Sequence, residues 1–269
     1  MSNPIGSLAG RASAVAALLL TMSVSAFAQR EPLPQAPEHG EFLSRYDFIM
    51  SAAALSNNDP RFSWDTHWAG ELDLVDYKYG RMTFLGDYQA ILGEEFRAFD
   101  PYQSNYRLEA SGSVRAGKTE FVGVFNHLSR HLGDRPKTEA VAENSLGLRV
   151  LRRWEDNGRQ LDLRMDLRKV TAKAYMDYNV LGEFETTLRM PLSPRTALYG
   201  TIYANGATVD DTVPDRKNQY GGRAEIGVRL KGTGGVMELY GGTERMYDAD
   251  PLERIVATWP FVGFRVRTH

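Results

Sequence analysis

The sequence contains no cysteine, and only five of its 269 residues are histidines. The absence of thiols excludes disulfide bonds, thiolate metal sites and cysteine-based catalysis. Neither sign of charge dominates, because 32 basic residues face 34 acidic ones, and this balance gives no reason to expect a nucleic-acid partner. A mean hydropathy of −0.39 excludes a bundle of membrane-spanning helices. An aromatic content of 11% excludes a disordered chain.

Long apolar runs are also scarce, and the clearest one lies at the N-terminus. An apolar run over residues 12–24 is followed by the Ala-Phe-Ala of residues 26–28, the small-x-small pattern that signal peptidases cleave. The run is shorter than the ~20 apolar residues that a spanning helix needs. A cleaved signal peptide over residues 1–28 is therefore favoured over a membrane anchor. Residues 29–41 are polar and rich in proline, and they predict an exposed lead-in.

From residue 42 onward, apolar and polar residues alternate with a period of two. In the clearest case, from Leu161 to Arg168, apolar side chains fall on one face of an extended segment and charged side chains on the other. A helix would spread both sets around its circumference, so the pattern indicates a strand. Tight connections alternate with mostly longer, polar ones. The alternation predicts twelve strands, at about residues 42–55, 62–75, 80–91, 105–116, 118–131, 144–154, 159–169, 174–190, 196–206, 219–231, 235–246 and 257–267.

This pattern predicts an all-β fold over residues 42–269: a closed, antiparallel, up-and-down transmembrane β-barrel of about 12 strands. A soluble sandwich or a lipocalin-like barrel also alternates, but acid–base ladders on nearly every strand are not expected where the polar face meets water. In an outer membrane, the apolar face of each strand contacts lipid and the charged face lines the lumen. Together with the export signal, this predicts a location in the outer membrane of a Gram-negative bacterium.

The charged faces leave two functions open. Arginine and acidic side chains from different strands can pair and fill the lumen, which describes a structural or interaction barrel. The same side chains can instead line a narrow, porin-like channel for a small solute, because rings of charged side chains set selectivity. The sequence gives no lumen radius, so both interpretations stay open.

Residues 121–136 depart from the alternation and carry the candidate site. The segment begins apolar on both faces, with Phe121 and Phe125 on one and Val122 and Val124 on the other. Either pair can face the bilayer. The pattern therefore leaves open which face of this strand contacts lipid.

Polar residues follow on one face of the same segment. His127, Ser129 and His131 stand at spacings i, i+2 and i+4, just before a loop with Asp134 and Arg135. A histidine and a serine two residues apart on a strand have Cβ atoms ~7 Å apart, and side-chain reach can close that gap for nucleophilic catalysis. An acid would then orient the imidazole. The two histidines are ~13 Å apart, too far to share one metal ion, so no metal is expected.

The eight residues from His127 to Asp134 read HLSRHLGD. This run resembles the H-x-S-x-H-L-G-D signature of a group of uncharacterised bacterial outer-membrane barrel proteins. More loosely, His127 and Ser129 are similar to the H-x-S of outer-membrane lipid A deacylases. That second resemblance implies a triad of His127, Ser129 and a downstream glutamate, for which Glu143 and Glu139 are the candidates by position.

Three hypotheses remain: a structural or interaction barrel, a small-solute pore, and an acyl hydrolase of lipid A or phospholipids. In the hydrolase, the catalytic residues would be His127, Ser129 and Glu143, and the binding residues would be His131, Asp134 and Arg135. The expected partners are outer-membrane lipid or lipopolysaccharide and, for a pore, a small solute in the lumen. No cofactor and no nucleic acid are expected. The polar cluster can also serve only to pin the base of the loop.

Overall fold

The computed structural model describes residues 37–136, 139–211, 213 and 215–268. The predicted signal peptide and residues 29–36 of the lead-in lie outside the described residues. Within the described ranges, no helix is long and apolar enough to cross a membrane. The chain forms twelve strands: β1 (Glu41–Leu55), β2 (Trp64–Tyr77), β3 (Gly80–Gly93), β4 (Asp100–Ala116), β5 (Thr119–Leu132), β6 (Val141–Asp156), β7 (Arg159–Ala174), β8 (Tyr178–Ser193), β9 (Thr196–Val209), β10 (Gln219–Lys231), β11 (Val236–Met246) and β12 (Ala257–Arg267).

Every strand pairs antiparallel with its sequence neighbours, and β1 pairs with β12, which closes the sheet into a barrel. The predicted fold class is thereby confirmed. Tight turns connect strands at one rim, here called the turn rim, and mostly longer connections lie at the other, the loop rim. In the β6–β7 turn, Asn157 and Gly158 have φ of 49° and 76°, as a two-residue type I′ hairpin requires. In outer-membrane barrels, short turns face the periplasm and long loops face outside.

The strand boundaries differ most from the predicted ones at β4, which begins at Asp100 instead of residue 105, and around β7 and β8. Strand β7 continues to Ala174 instead of ending near residue 169, and β8 begins at Tyr178 instead of residue 174. Thr171 is an extra residue in the β6–β7 ladder, since Asn144 pairs with Ala172 whereas the next residue pairs with Val170. A β-bulge of this kind interrupts the period of two. A prediction from alternation alone therefore ends the strand just before the bulge.

The strands expose apolar side chains and bury charged ones. In β7, Leu167 is 64% exposed, whereas the next residue, Arg168, is 3% exposed. A soluble sandwich would pack its apolar stripes between two layers, and an apolar wall of this extent is stable only in lipid. Apolar side chains outside and charged side chains inside are the reverse of the arrangement in a soluble protein. This reversed arrangement identifies an outer-membrane β-barrel with a charged lumen. Buried charged residues occur around the whole barrel and include Asp47, Glu71, Glu109, Arg149, Asp166, Arg223, Glu225, Glu244 and Arg265.

Paired charges fill much of the lumen. Arg149 on β6 binds Glu109 on β4 and Asp166 on β7, both at 2.8 Å. Arg107 on β4 lies 3.7 Å from Glu183 on β8, four strands away in the barrel order. This last contact crosses the lumen, because the two strands are not neighbours. The ion pairs therefore tie opposite parts of the wall together.

The connection between β11 and β12, residues 247–256, covers the lumen at the loop rim. Arg130 of β5 donates to the carbonyl oxygen of Asp248 at 2.8 Å, and Gln103 of β4 donates to the carbonyl oxygen of Ala249 at 2.6 Å. Strands β4 and β5 are distant from β11 and β12 in the barrel order. These hydrogen bonds therefore hold the connection across the mouth.

A filled lumen under a covering connection predicts a protein that conducts ions poorly. We expect the purified protein, inserted into planar bilayers at neutral pH, to show no regular conductance steps, because ion pairs cross the lumen and residues 247–256 lie across its mouth at the loop rim. An open porin added to the same bilayers is the positive control. Regular steps from this protein alone would contradict the prediction and would favour the pore hypothesis.

Candidate functional site

Strand β5 places the polar cluster on the outer wall of the barrel. Phe125 is 41% exposed, whereas its neighbour Val124 is 2% exposed and points into the lumen. Because side chains alternate along a strand, His127, Ser129 and His131 share the outward face of Phe125. The strand ends one residue after His131, so the cluster lies near the loop rim. The face left open by the sequence is thus the lipid-facing one.

Two hydrogen bonds organise the cluster. Ser129 Oγ and His131 Nε2 are 2.8 Å apart, and His127 Nδ1 is 2.7 Å from the Oδ1 of Asn144 on β6. An amide oxygen can only accept, so His127 donates through Nδ1. In the neutral imidazole, Nε2 of His127 is then free to accept a proton. The arrangement thus combines a serine next to two histidines with one histidine held in the tautomer that a general base requires.

Asn144 is positioned by backbone pairing and by the bulge in β7. It lies directly opposite His127 in the β5–β6 ladder, which brings the two side chains together on the outer face. The hydroxyl of Thr171, the bulged residue, donates to the carbonyl oxygen of Asn144 at 3.2 Å. Bulges are enriched beside active sites, where they redirect side chains. Asn144 is not among the site residues predicted from the sequence, because the expected triad has a carboxylate and not an amide at this place.

Glu143 does not join this cluster. It is the residue before Asn144, so its side chain points to the opposite side of the wall, and it is 6% exposed in the lumen. Glu139 precedes β6 in the loop. The structure therefore joins His127 to the amide of Asn144 and Ser129 to His131, and it places the Glu143 side chain on the other side of the wall. Only the strand register distinguishes Asn144 from Glu143, and register is not readable from alternation across an intervening loop.

Asp134 and Arg135 hold two loops together above the cluster. The carboxylate of Asp134 accepts from Arg97 at 3.0 Å. Arg135 binds Glu95 and Asp100, each at 2.6 Å. Burial by itself would lower the pKa of the Arg135 guanidinium, but these two carboxylates outweigh it and raise the pKa. The contacts join residues 94–99 to the start of the β5–β6 loop.

An aromatic row runs along the outer wall and ends at the cluster. The ring of His131 meets Tyr106 edge-on with 5.5 Å between centroids, and Tyr106 lies 5.1 Å from Tyr88. Tyr88 continues the row to Trp68 at 5.7 Å. Aromatic girdles of this kind mark the interface between hydrocarbon and headgroups in outer-membrane barrels. The cluster is therefore at the depth where lipid headgroups and ester bonds lie.

The chemistry of this site depends on which functional groups the cluster offers. In the part of the chain that the structure describes, no three histidine, aspartate or glutamate residues are grouped so that they could hold a metal ion. What the cluster offers instead is a hydroxyl nucleophile within hydrogen-bond distance of an imidazole, together with a second imidazole oriented by an amide. In serine-based acyl transfer a single imidazole contacts both the serine and the orienting group. Here the serine contacts His131, and the oriented imidazole is that of His127.

Fold and site together define the class: an outer-membrane β-barrel with a His/Ser/Asn cluster on its lipid-facing wall. No protein-family model matches the chain. No curated protein matches its sequence either.

Solved structures with a similar fold are bacterial outer-membrane proteins. Outer membrane phospholipase A from Escherichia coli is 11% identical with a TM-score of 0.49, and the match covers 82% of this chain and 92% of that one. LpxR from Salmonella typhimurium is 5% identical with a TM-score of 0.45, covering 82% and 99%. OmpT from Vibrio cholerae is 9% identical with a TM-score of 0.44, covering 88% and 100%. At these identities and TM-scores, no substrate and no residue role is transferred to this chain.

Proposed function

We propose that this outer-membrane barrel hydrolyses acyl esters of lipids in the outer leaflet. Ser129 is the nucleophile, His127 is the general base, and Asn144 orients His127. The observation that carries the proposal is the direction of these side chains. They project from the outer wall near the loop rim, where an ester bond of a membrane lipid can reach them without entering the protein.

The reaction uses the serine, the oriented histidine and the asparagine of the cluster. His127 Nε2 takes the proton of the Ser129 hydroxyl while Oγ attacks the ester carbonyl, and the alcohol part of the lipid leaves with that proton. Water then attacks the acyl-serine, again through His127, and releases the fatty acid. Asn144 accepts from Nδ1 throughout, so the ring keeps the tautomer and the orientation that both steps need.

Two histidines are candidate hydrogen-bond partners of the Ser129 hydroxyl. In the structure it contacts His131, whereas the hydrolysis requires contact with His127. The two rings flank the serine at i−2 and i+2 on the same face, and serine has three staggered rotamers about χ1. The proposal therefore requires the Ser129 hydroxyl to rotate about χ1, away from His131 and toward His127, when the lipid binds. His131 holds Ser129 between reactions in this proposal, and Asn144 takes the orienting role that the sequence suggested for Glu143.

A structural role for the lumen is compatible with this activity. The ion pairs of Arg149 and of Arg107 lie inside the wall, whereas the cluster lies outside it. A barrel that served only as a plug would not require a histidine–serine–asparagine group on its lipid-facing surface. The proposal therefore assigns stability to the lumen and chemistry to the outer wall.

The test uses the full mature protein in detergent micelles. Micelles that contain phospholipid or lipopolysaccharide are the two substrates, and released fatty acids are measured by mass spectrometry. In parallel, a fluorophosphonate probe, which reacts with activated serines, is applied and its site is mapped by peptide sequencing. We expect fatty-acid release from at least one lipid and labelling at Ser129. Absence of both with correctly folded protein would overturn the proposal, and heat-denatured protein is the matched control.

A further inference from the structure

A positive charge stands among apolar side chains on the lipid-facing wall, close to the cluster. Lys169 of β7 is exposed and shares the outward face with Leu167. Its neighbours in the ladders are Leu146 on β6 and Val180 on β8. Within the described residues, no hydrogen bond or ion pair engages its ammonium group. Apolar residues thus surround an uncompensated charge.

Lys169 differs from the other charged side chains on the outer wall in its depth. Among the described strand residues, the others that face outward lie toward a rim. Arg152, Asp156 and Arg159 are on the side of the turn rim, and Arg245 is one residue from the end of β11, where it donates to the carbonyl oxygen of Tyr220. A charge on the lipid face destabilises a barrel more the deeper it lies. Lys169 lies five residues inside β7, so an anion from the membrane would be its natural partner.

The register of the strands places Lys169 beside the cluster. It pairs with Leu146, which pairs with Phe125, two residues before His127 on the same face. Two strand spacings and two residue steps separate the backbones of Lys169 and His127, which is about 12 Å. The four-carbon side chain can extend toward the headgroup layer and shorten this gap. The proposed nucleophile Ser129 lies two residues beyond His127, which makes its backbone about 17 Å from that of Lys169. With the lysine side chain extended toward the loop rim, the ammonium group and Ser129 can contact different parts of one lipid molecule.

We infer that Lys169 binds the phosphate of the lipid whose ester Ser129 cleaves, and that the enzyme prefers phosphate-bearing acyl lipids. This inference rests on the proposed hydrolase function. An ammonium group binds phosphate through charge-assisted hydrogen bonds, which are stronger than neutral ones, and the apolar surroundings strengthen them further. Glycerophospholipids and lipid A both carry the required phosphate next to acyl esters. Lys169 thus determines specificity by anchoring the headgroup and aligning the ester with Ser129.

The test compares two pairs of lipids with the same acyl chains. One pair is a phosphatidyl lipid and the matching diacylglycerol; the other is lipid A and its dephosphorylated form. For Lys169→Gln, we expect kcat/KM on the phosphate-bearing lipid of the pair that is cleaved to fall about tenfold to a hundredfold, and kcat/KM on its phosphate-free partner to stay unchanged. Lys169→Arg should restore most of the loss. Lys231→Gln, which removes an exposed lysine at the other end of the barrel, is the matched control.

Failure of this inference is distinct from failure of the proposed function. Suppose that wild-type protein cleaves lipid. If Lys169→Gln then lowers kcat/KM equally on both members of a pair, or does not lower it at all, Lys169 does not bind phosphate. If wild-type protein cleaves no lipid, the proposed function itself fails. A second readout does not need turnover: native mass spectrometry of protein with Ser129 changed to alanine should retain the phosphatidyl lipid, and adding Lys169→Gln should reduce that retention. Equal retention would also overturn the inference.

Discussion

Replacing Ser129 with alanine is expected to lower fatty-acid release by about 10⁴-fold or more, to near the uncatalysed rate. His127→Ala should lower the rate of fatty-acid release nearly as much, because a nucleophile and its base act as a unit. The double variant should release fatty acid only slightly more slowly than either single variant. Asn144→Ala should lose less, since Asn144 only orients the imidazole, and Asn144→Asp should recover part of the loss. Initial rates in mixed micelles, at a fixed lipid-to-detergent ratio, measure these effects.

The control for this series is His131. In the proposal, His131 holds the serine between reactions but takes no proton from it, so His131→Asn should change kcat by less than about tenfold. All variants alter side chains on the outer wall. Whether each variant is folded can be checked by testing that its barrel does not unfold in detergent without heating. If His131→Asn were inactive and His127→Ala active, His131 would be the base and the roles of the two histidines would be exchanged.

The fold was predictable from the sequence because a barrel in lipid imposes one simple rule on every strand. The run from Leu161 to Arg168 shows this rule directly, since the structure buries all four of its charged side chains, exposes Leu161 and Leu167 and leaves Leu163 half-buried. The order of the strands then follows from the connections, since antiparallel neighbours need only short links. The bulge at Thr171 was not predictable, because one extra residue shifts the alternation without any change of composition.

The cluster was predictable in part, because side chains along a strand alternate between the two faces of the wall. His127, Ser129 and His131 share a face because their spacing is even, whichever face it is. Their direction required the structure, since Phe125 and Val124 offered equally apolar alternatives. Asn144 required still more, because its contact with His127 depends on how β5 and β6 align across a loop. A shift of one residue would have put Glu143 outside and Asn144 in the lumen.

The lumen supplies the second large effect, on stability. Arg149→Ala is expected to lower the free energy of unfolding by about 3 kcal/mol, because it removes the cation that bridges two buried carboxylates, and Arg107 at 3.7 Å from Glu109 and Arg164 at 2.8 Å from Asp166 offset only part of the loss. Arg149 is 2% exposed, and it binds both oxygens of Glu109 and one oxygen of Asp166. Reversible unfolding in denaturant, followed by tryptophan fluorescence in lipid vesicles, measures the change.

Two further variants show whether the loss arises from the stranded carboxylates. Arg152→Ala removes an exposed arginine three residues further along the same strand, whose side chain donates to Thr119 at 3.2 Å, and it should change stability by less than about 0.5 kcal/mol. Combining Arg149→Met with Glu109→Gln should recover part of the stability, because one buried cation and one buried anion are removed together, while Asp166 keeps Arg164 at 2.8 Å and Arg107 keeps Glu183 at 3.7 Å. If Arg149→Ala were as stable as wild type, Arg107, Arg164 or water would be compensating Glu109 and Asp166, and the stability would not depend on Arg149. The conductance of Arg149→Ala in planar bilayers then distinguishes the two cases, because compensation by water would give conductance steps and compensation by arginine would not.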